Sequence, residues 1–348
     1  MAFALKPIMF RVVFTIPFVV LFHFANAQVT LSADELKYFN ACEDTLSKLI
    51  QLSVTAKEDV ERLEINAHFS KLMDEVLNHD RSFAFPFDSL KKYRMLLSSE
   101  DKEVRMVTWN LPMNDKTQHY FGYVQHLDKT PEKNGAGKKW QLFKLEDKSD
   151  EIKTPENAVL NSEKWFGCYY YKIIDSHYKK KKKYTLLAWD GNSRITQKKL
   201  IDVLYFNSNG DPQFGDAIFE VNKEFNTKKE LYPDRTGAPP RVLPIKEYKV
   251  KDVNVWQKRV IFEFKQGLTM SLKYDESSQT IIFDHLSPEE SALRGQYQYY
   301  GPDLSLDALK FKKGKWHFVK DTDGRNDKKK VDKQYKDPTK DPNAPPQK

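Results

Sequence analysis

Cysteine is scarce: Cys42 and Cys168 are the only two in 348 residues. That excludes a disulfide-stapled miniprotein and any cluster needing three or more thiolates. Glycine, at 13 residues, is too rare for collagen-like or glycine-linker architectures. Motifs with known mechanics are also missing. There is no Gly-x-Ser-x-Gly elbow of an α/β-hydrolase and no His-Glu-x-x-His pair to present two imidazoles on one helix face. Gly135-Ala136-Gly137-Lys138 lacks the spacing of a phosphate-cradling loop and reads as a turn. The segments Asn207-Ser208-Asn209-Gly210-Asp211 and Asp321-Thr322-Asp323-Gly324 superficially suggest calcium loops. Counting back from each glycine, however, puts Tyr205 or Val319 at the first ligand position, and neither supplies a carboxylate. No metal, no other cofactor and no catalytic residue is expected from motifs.

A cationic folded body is absent too. The formal net charge is +8, but Lys6 and Arg11 lie in the first 27 residues and a net four positive charges lie in 324–348, which leaves 28–323 near +2. Nucleic-acid binding needs Lys and Arg gathered on a folded face to displace counterions, so no nucleic-acid partner is expected.

What the chain does have begins with a leader. Lys6 and Arg11 precede an apolar run from Val12 to Phe24, and Ala25-Asn26-Ala27 is a small-x-small cleavage site. This is the pattern of a secretory signal peptide, cleaved before Gln28 to leave 321 residues. The run is shorter than the roughly 20 residues that span a bilayer, and no later segment is apolar enough, so no transmembrane segment is expected after cleavage. No cysteine follows the cleavage site closely, which argues against a lipid anchor.

The expected fold class is α+β: an N-terminal helical region at 28–100, a large mainly antiparallel β domain at 101–323 and a disordered basic tail at 324–348. In the first region Ser32-Ala33-Asp34-Glu35 and Thr55-Ala56-Lys57-Glu58 are capping-box patterns. Leu36, Phe39, Leu46, Leu49 and Ile50 recur at helical spacing after the first. Val60, Leu63, Ala67, Leu72, Val76 and Leu77 do so after the second. Phe83-Ala84-Phe85-Pro86-Phe87 interrupts, and a third short helix is expected from Asp88 to Leu97.

From Val104 to Val319, aromatic and β-branched runs alternate with Asn, Asp, Gly and Pro. Strands are expected at 104–110, 119–126, 140–145, 165–174, 184–189, 201–206, 217–221, 260–264, 269–274, 280–283, 309–311 and 316–319. Turns at Asp190-Gly191-Asn192, Ser208-Asn209-Gly210-Asp211 and Lys313-Gly314-Lys315 favour antiparallel hairpins. Loops are expected at 129–139 and 226–244. Val107-Thr108-Trp109-Asn110 echoes Leu187-Ala188-Trp189-Asp190, but two short matches do not make a repeat. The tail has too little apolar content to offset its ordering entropy.

Several residues have both a functional and a packing reading. Of the seven histidines in the mature chain (68, 79, 119, 126, 177, 285 and 317), His119 and His126 are an odd number of residues apart and fall on opposite faces of a strand. Asp284-His285 and Glu289-Glu290 are pairs of the kind acid–base sites use, and also common surface pairs. Cys42 and Cys168 can bridge the helical region to the 165–174 strand in an oxidising compartment, or lie separately in an apolar stripe and a buried strand. The run Lys179 to Lys183, between Tyr178 and Tyr184, is either a solvated hairpin tip or an electrostatic contact to anionic polymer or lipid headgroups. Tyr169-Tyr170-Tyr171 and Tyr297-Gln298-Tyr299-Tyr300 put rings on both faces of any strand and suit cross-strand packing before sugar stacking.

The stretches Tyr184-Thr185-Leu186-Leu187-Ala188-Trp189-Asp190-Gly191-Asn192, Lys198 to Phe206, and Phe283-Asp284-His285-Leu286 resemble a group of exported Bacteroidetes proteins that has no assigned function. Gly295-Gln296-Tyr297-Gln298-Tyr299-Tyr300-Gly301-Pro302-Asp303 and Phe311-Lys312-Lys313-Gly314-Lys315-Trp316 extend the resemblance over about 100–323. It implies an exported, envelope-associated protein in the periplasm or outside the cell, and carries over no catalytic residue. The functional expectation is a non-enzymatic binding or structural protein that contacts an envelope polymer or surface partner. The alternative is a hydrolase acting on an envelope polymer.

Overall fold

The computed structural model describes residues 30–128, 139–179, 181–222, 254–320 and 322. The leader at 1–27, the 135–138 turn, the loop at 226–244, Lys180 and the tail at 324–348 lie outside the described residues. So do the loop expected at 129–139, apart from Lys139, and the turn at 321–324, apart from Thr322.

Helix α1 (Ala33–Thr55) starts at the first capping box. Ser32 Oγ accepts from the Glu35 amide at 3.2 Å, and the Glu35 carboxylate accepts from the Ser32 amide at 2.7 Å. Two donors with no intrahelical partner are thereby satisfied. The second expected box does not form. Thr55 ends α1, its hydroxyl donating back to the Gln51 and Leu52 carbonyls, and α2 (Asp59–Asn78) starts after Glu58 with no side-chain cap. Arg62 reaches back from α2 to the Ala56 and Lys57 carbonyls instead, covering the acceptors of the interhelical turn. The stripe of α2 is also rotated from expectation. Val60, Leu63 and Ala67 are exposed, while Asn66, Phe69, Met73, Val76 and Leu77 are buried.

The expected third helix stops early. Helix α3 (Asp88–Lys92) is five residues long, and the chain then enters strand β1 (Leu96–Ser98). The first turn of α3 is capped from outside: the Ser89 amide donates to Glu43 Oε1 of α1 at 2.6 Å. The phenylalanine-rich interruption is core, with Phe85 and Phe87 buried and packed edge-on at 4.8 Å.

Three sheets follow. Strands β1, β2 (Val104–Pro112), β3 (Gln118–Asp128) and β4 (Lys139–Leu145) make the first, in that order. The second runs β5 (Leu160–Asn161), β9 (Pro212–Phe214), β8 (Thr196–Phe206), β7 (Tyr184–Asp190), β6 (Tyr169–Asp175), with β12 (Val260–Lys265) also paired to β8. The third runs β11 (Asn254–Gln257), β10 (Phe219–Asn222), β16 (Lys315–Val319), β15 (Tyr300–Lys312), β14 (Thr280–Pro288), β13 (Leu272–Asp275). Pairing is antiparallel except where β10 meets β16, at Phe219 and Trp316. Strands β1, β5, β9 and β11 are too short or too polar to stand out in the sequence. Residues 165–168, expected as strand, are buried coil leading into β6. Residues 297–299 form a 3₁₀ turn.

The layers stack as helices, first sheet, second sheet, third sheet, with an apolar core in each gap. Side chains alternate across a strand, so neighbours in β2 serve different cores. Val104 and Met106 face the second sheet, while Val107 and Trp109 face the helices with Phe39, Phe69 and Met73. In β7, Leu186 and Ala188 face the first sheet, and Leu187 faces the third with Phe219, Ile281 and Trp316. Burial on both faces explains why β7 reads as a near-continuous apolar run. Each such large side chain contributes roughly 1.5–3 kcal/mol relative to exposure. Arg105 of β2 fastens the helical layer to the sheet. Its guanidinium donates to the Ser82, Phe83 and Phe85 carbonyls, and burial lowers its pKa to about 9.

Among the described residues no helix is long and apolar enough to cross a membrane.

Candidate functional site

The register of the second sheet lines up three charged residues. Asp190 of β7 pairs with Lys198 of β8, and Lys198 pairs with Glu263 of β12. They share one face with the preceding row, Ala188, Leu200 and Ile261, which packs into the core under the first sheet. One step along the strands the apolar contact ends, the first and second sheets part, and a cleft of about 1000 Å³ opens over the charged row. Its other wall includes His119, Tyr120 and Phe121 of β3, with the 146–156 segment along the rim.

The hairpin after β7 fixes Asp190. Its Oδ1 accepts from the Asn192 amide at 2.7 Å, a local turn bond typical of Asp, and from the Tyr120 hydroxyl at 3.0 Å. The Gly191 amide donates to that same hydroxyl oxygen at 2.7 Å. A Cβ on Gly191 would stand 2.6 Å from Gln118 Cγ, so the turn lies against β3 only because residue 191 has no side chain. Asn192, left-handed at φ 49°, accepts from Lys198 Nζ at 2.6 Å and donates to Thr196 Oγ1 at 2.7 Å. Thr196 Oγ1 in turn donates to Glu263 Oε1 at 2.7 Å.

Lys198 therefore spends its direct hydrogen bond on Asn192 and stands 3.9 Å from Asp190 Oδ2. That oxygen makes no hydrogen bond to any described residue. Burial raises the Asp190 pKa, and the Lys198 charge, the Asn192 amide and the Tyr120 hydroxyl only partly oppose the rise. The Tyr120 phenol is pushed far up by burial and by the facing carboxylate. Tyr297, from the 3₁₀ turn, lines the cleft, and burial raises its phenol as well. A carboxyl group held partly dry in the lining of a sizeable cleft is a recognised mark of a functional site.

The residues singled out in the sequence mostly lie elsewhere. His119 lines the cleft; His126 stacks on Phe206 at 3.5 Å. His285 pairs with Asp303 at 2.6 Å and His317 with Glu220 at 3.1 Å, while His79 packs against Tyr38 and Phe39. Asp284 accepts from the Ser271 amide and Glu289 pairs with Lys265. The cysteines are free and belong to different cores. Cys42 packs in the helical layer and Cys168 is fully buried between the first and second sheets, so the bridging alternative fails. Tyr170 is buried, and its neighbours bond backbone: Tyr169 to the Arg94 carbonyl, Tyr171 to that of Leu272.

The lysine run is not simply a solvated tip. Lys179 and Lys181 are exposed, but Lys182 pairs with Asp101 at 2.9 Å and with Glu103, and Lys183 pairs with Asp216. Asp101 also accepts from Ser99 Oγ at 2.7 Å, the Glu103 amide at 3.1 Å and Tyr184 at 3.0 Å. Burial opposes ionisation of Asp101, but these hydrogen bonds together hold its carboxyl far below the usual range. Asp101, Asp175 and His177 can bring one ligand atom each within 4.8 Å of one another. The Lys182 ammonium and the Glu100 and Asp101 amides already satisfy those carboxylates.

No family model, curated protein or solved structure matches the chain.

Reasoning from motifs passed over Tyr120, Asp190, Lys198 and Glu263. The sign available was Asp190 itself, an acid closing an otherwise apolar strand directly before Gly191. Its partners needed the register of three strands. Asp190, Asn192, Lys198 and Tyr297 line one cleft.

Proposed function

We propose that the chain is an exported, envelope-associated binding protein that holds a hydroxyl-rich polymer segment, of the kind an envelope glycan provides, in the cleft between its first two sheets. The observation that carries this reading is the Asp190–Lys198–Glu263 row open to the cleft. A sugar hydroxyl both donates and accepts. Asp190 Oδ2 and Glu263 offer acceptors, the Lys198 ammonium offers donors, and the ring of Tyr297 offers a flat apolar face. The leader at 1–27 supports export.

The test is co-sedimentation of residues 28–348 with insoluble peptidoglycan. Binding is expected, competed by soluble fragments of the same polymer and weakened at least tenfold by Asp190→Asn and by Lys198→Met. Failure to sediment, or binding indifferent to both substitutions, overturns the reading.

One observation favours a second reading, an envelope-polymer hydrolase. Asp190 has its pKa raised, and Glu263 accepts a hydroxyl hydrogen bond in the same row. Two carboxyl groups in one row, one of them drier than the other, are the kind of pair that general acid–base hydrolysis uses. Release of soluble reducing fragments, abolished by Asp190→Asn, would replace binding with catalysis.

A further inference from the structure

A second cavity, of about 270 Å³, lies in the helical layer and shares no lining residue with the cleft. Leu49 and Ile50 of α1, Ile65 and Phe69 of α2, and Trp109 and Leu111 of β2 form its walls. Its size is near the lower end of small-ligand sites, roughly 300–1,000 Å³. It is far too narrow for a helix with side chains, about 10–12 Å across.

Two polar side chains line this cavity with unused hydrogen-bonding capacity. Asn66, on the inner face of α2, is only 7% exposed; its Oδ1 accepts from Trp109 Nε1 at 2.8 Å. Its amide nitrogen donates to no described residue. The Ser53 hydroxyl of α1 also has no partner among the described residues. Water reaches the Asn66 amide nitrogen, so a ligand oxygen entering the cavity takes the place of that water as its acceptor. Arg62 also lines the cavity, but it offers a ligand no unspent charge. It is held to Asp59 at 2.6 Å and Asn114 at 2.9 Å, and its other nitrogens reach the Ala56 and Lys57 carbonyls.

We infer that this cavity binds a small neutral amphiphile: an apolar body against Phe69, Trp109 and Leu111, with one carbonyl or hydroxyl oxygen accepting from Asn66 Nδ2. An anionic head is disfavoured because the one guanidinium present is already neutralised by Asp59. A purely apolar molecule leaves the Asn66 amide unpaired.

The probe is 2-nonanone, titrated into ¹⁵N-labelled residues 28–348 while the Trp109 indole N–H resonance is followed. The expected result is a saturable shift. Ser53→Leu, which fills the cavity from the half-buried face of α1, should abolish it. Asn66→Asp keeps the acceptor for Trp109 but removes the free donor, and should weaken binding about tenfold. If Asn66→Asp does not fold, Ser53→Leu alone decides. No saturable shift up to the solubility of the ketone, or equal affinity in Ser53→Leu, overturns the inference.

Discussion

Two places in this molecule set a lysine between two carboxylates, and they are built in opposite ways. Beneath the β6–β7 hairpin, Lys182 bonds both Asp101 and Glu103 directly, and Asp101 collects three further donors from Ser99, Glu103 and Tyr184. At the cleft, Lys198 lies between Asp190 and Glu263 in the strand register, but its hydrogen bond goes to Asn192 and Asp190 Oδ2 is left open. The first cluster lowers the pKa of its acid; the second leaves its acid with a raised one. A cluster that satisfies every oxygen internally stabilises the fold and has little left for a ligand. One that keeps an oxygen unspent at the floor of a concavity stabilises less and can bind.

The sharpest way to break this comparison is to remove each acid. Asp101→Ala leaves the Tyr184 hydroxyl without its acceptor and Lys182 with Glu103 alone, and should cost about 2–3 kcal/mol in urea unfolding. Asp190→Asn keeps an oxygen for Tyr120 and the Asn192 amide while removing a poorly solvated charge, so its cost should stay within about 1 kcal/mol. Equal losses would mean that the cleft row is as structural as the clasp. Polymer binding should invert the ranking, with Asp190→Asn losing at least tenfold and a folded, charge-conserving Asp101→Glu variant keeping the wild-type affinity.

The pH dependence should separate the two acids by sign. Asp101 has a folded pKa below its ordinary value of 3.8, so its contribution is fully present above that value and is lost as pH falls from there through the lower folded pKa. Asp190 has a folded pKa above 3.8, so its protonated form favours folding below that value, and the advantage is lost as pH rises through the folded pKa. Wild type should thus be more stable than Asp101→Asn at pH 7, with the gap narrowing below pH 4. Asp190→Asn should instead gain on wild type between pH 4 and pH 7. Unfolding free energies for the three proteins at pH 3.5, 5 and 7 check both slopes, and parallel curves would erase the distinction.

Much of this organisation is written locally in the chain, and the site is not. The first capping box, the alternation of aromatic runs with turns and the order of helices before strands follow from short-range chemistry, and each is found where expected. The second box does not form because Thr55 is still part of α1, its hydroxyl turned back to the Gln51 and Leu52 carbonyls, and α2 starts after Glu58. The buried stripe on α2 includes the polar Asn66, which Trp109 bonds across 43 residues while Phe69, Met73, Val76 and Leu77 pack into the core. Asp190, Lys198 and Glu263 become neighbours only through the pairing of β8 with both β7 and β12. That register joins residues 73 positions apart, and no local spacing encodes it.

The smallest expected effect concerns the lysines themselves. Lys182 is nearly half-exposed, so its ion pairs are screened by water and contribute on the order of 0.5–1 kcal/mol. Lys182→Met should lose that amount at low ionic strength and less in 1 M salt, where screening acts over about 3 Å. Lys198→Met should change stability less still, because its ammonium is not hydrogen-bonded to either acid, but it should push the Asp190 pKa further up by removing the main opposing charge. Carboxyl-resonance titration of the two variants by NMR reads this directly. If Lys198→Met leaves Asp190 unmoved while Lys182→Met destabilises in a salt-independent way, then Lys198 does not tune the cleft acid, and the contrast between a closed cluster and an open one rests on Asp101 and Asp190 alone.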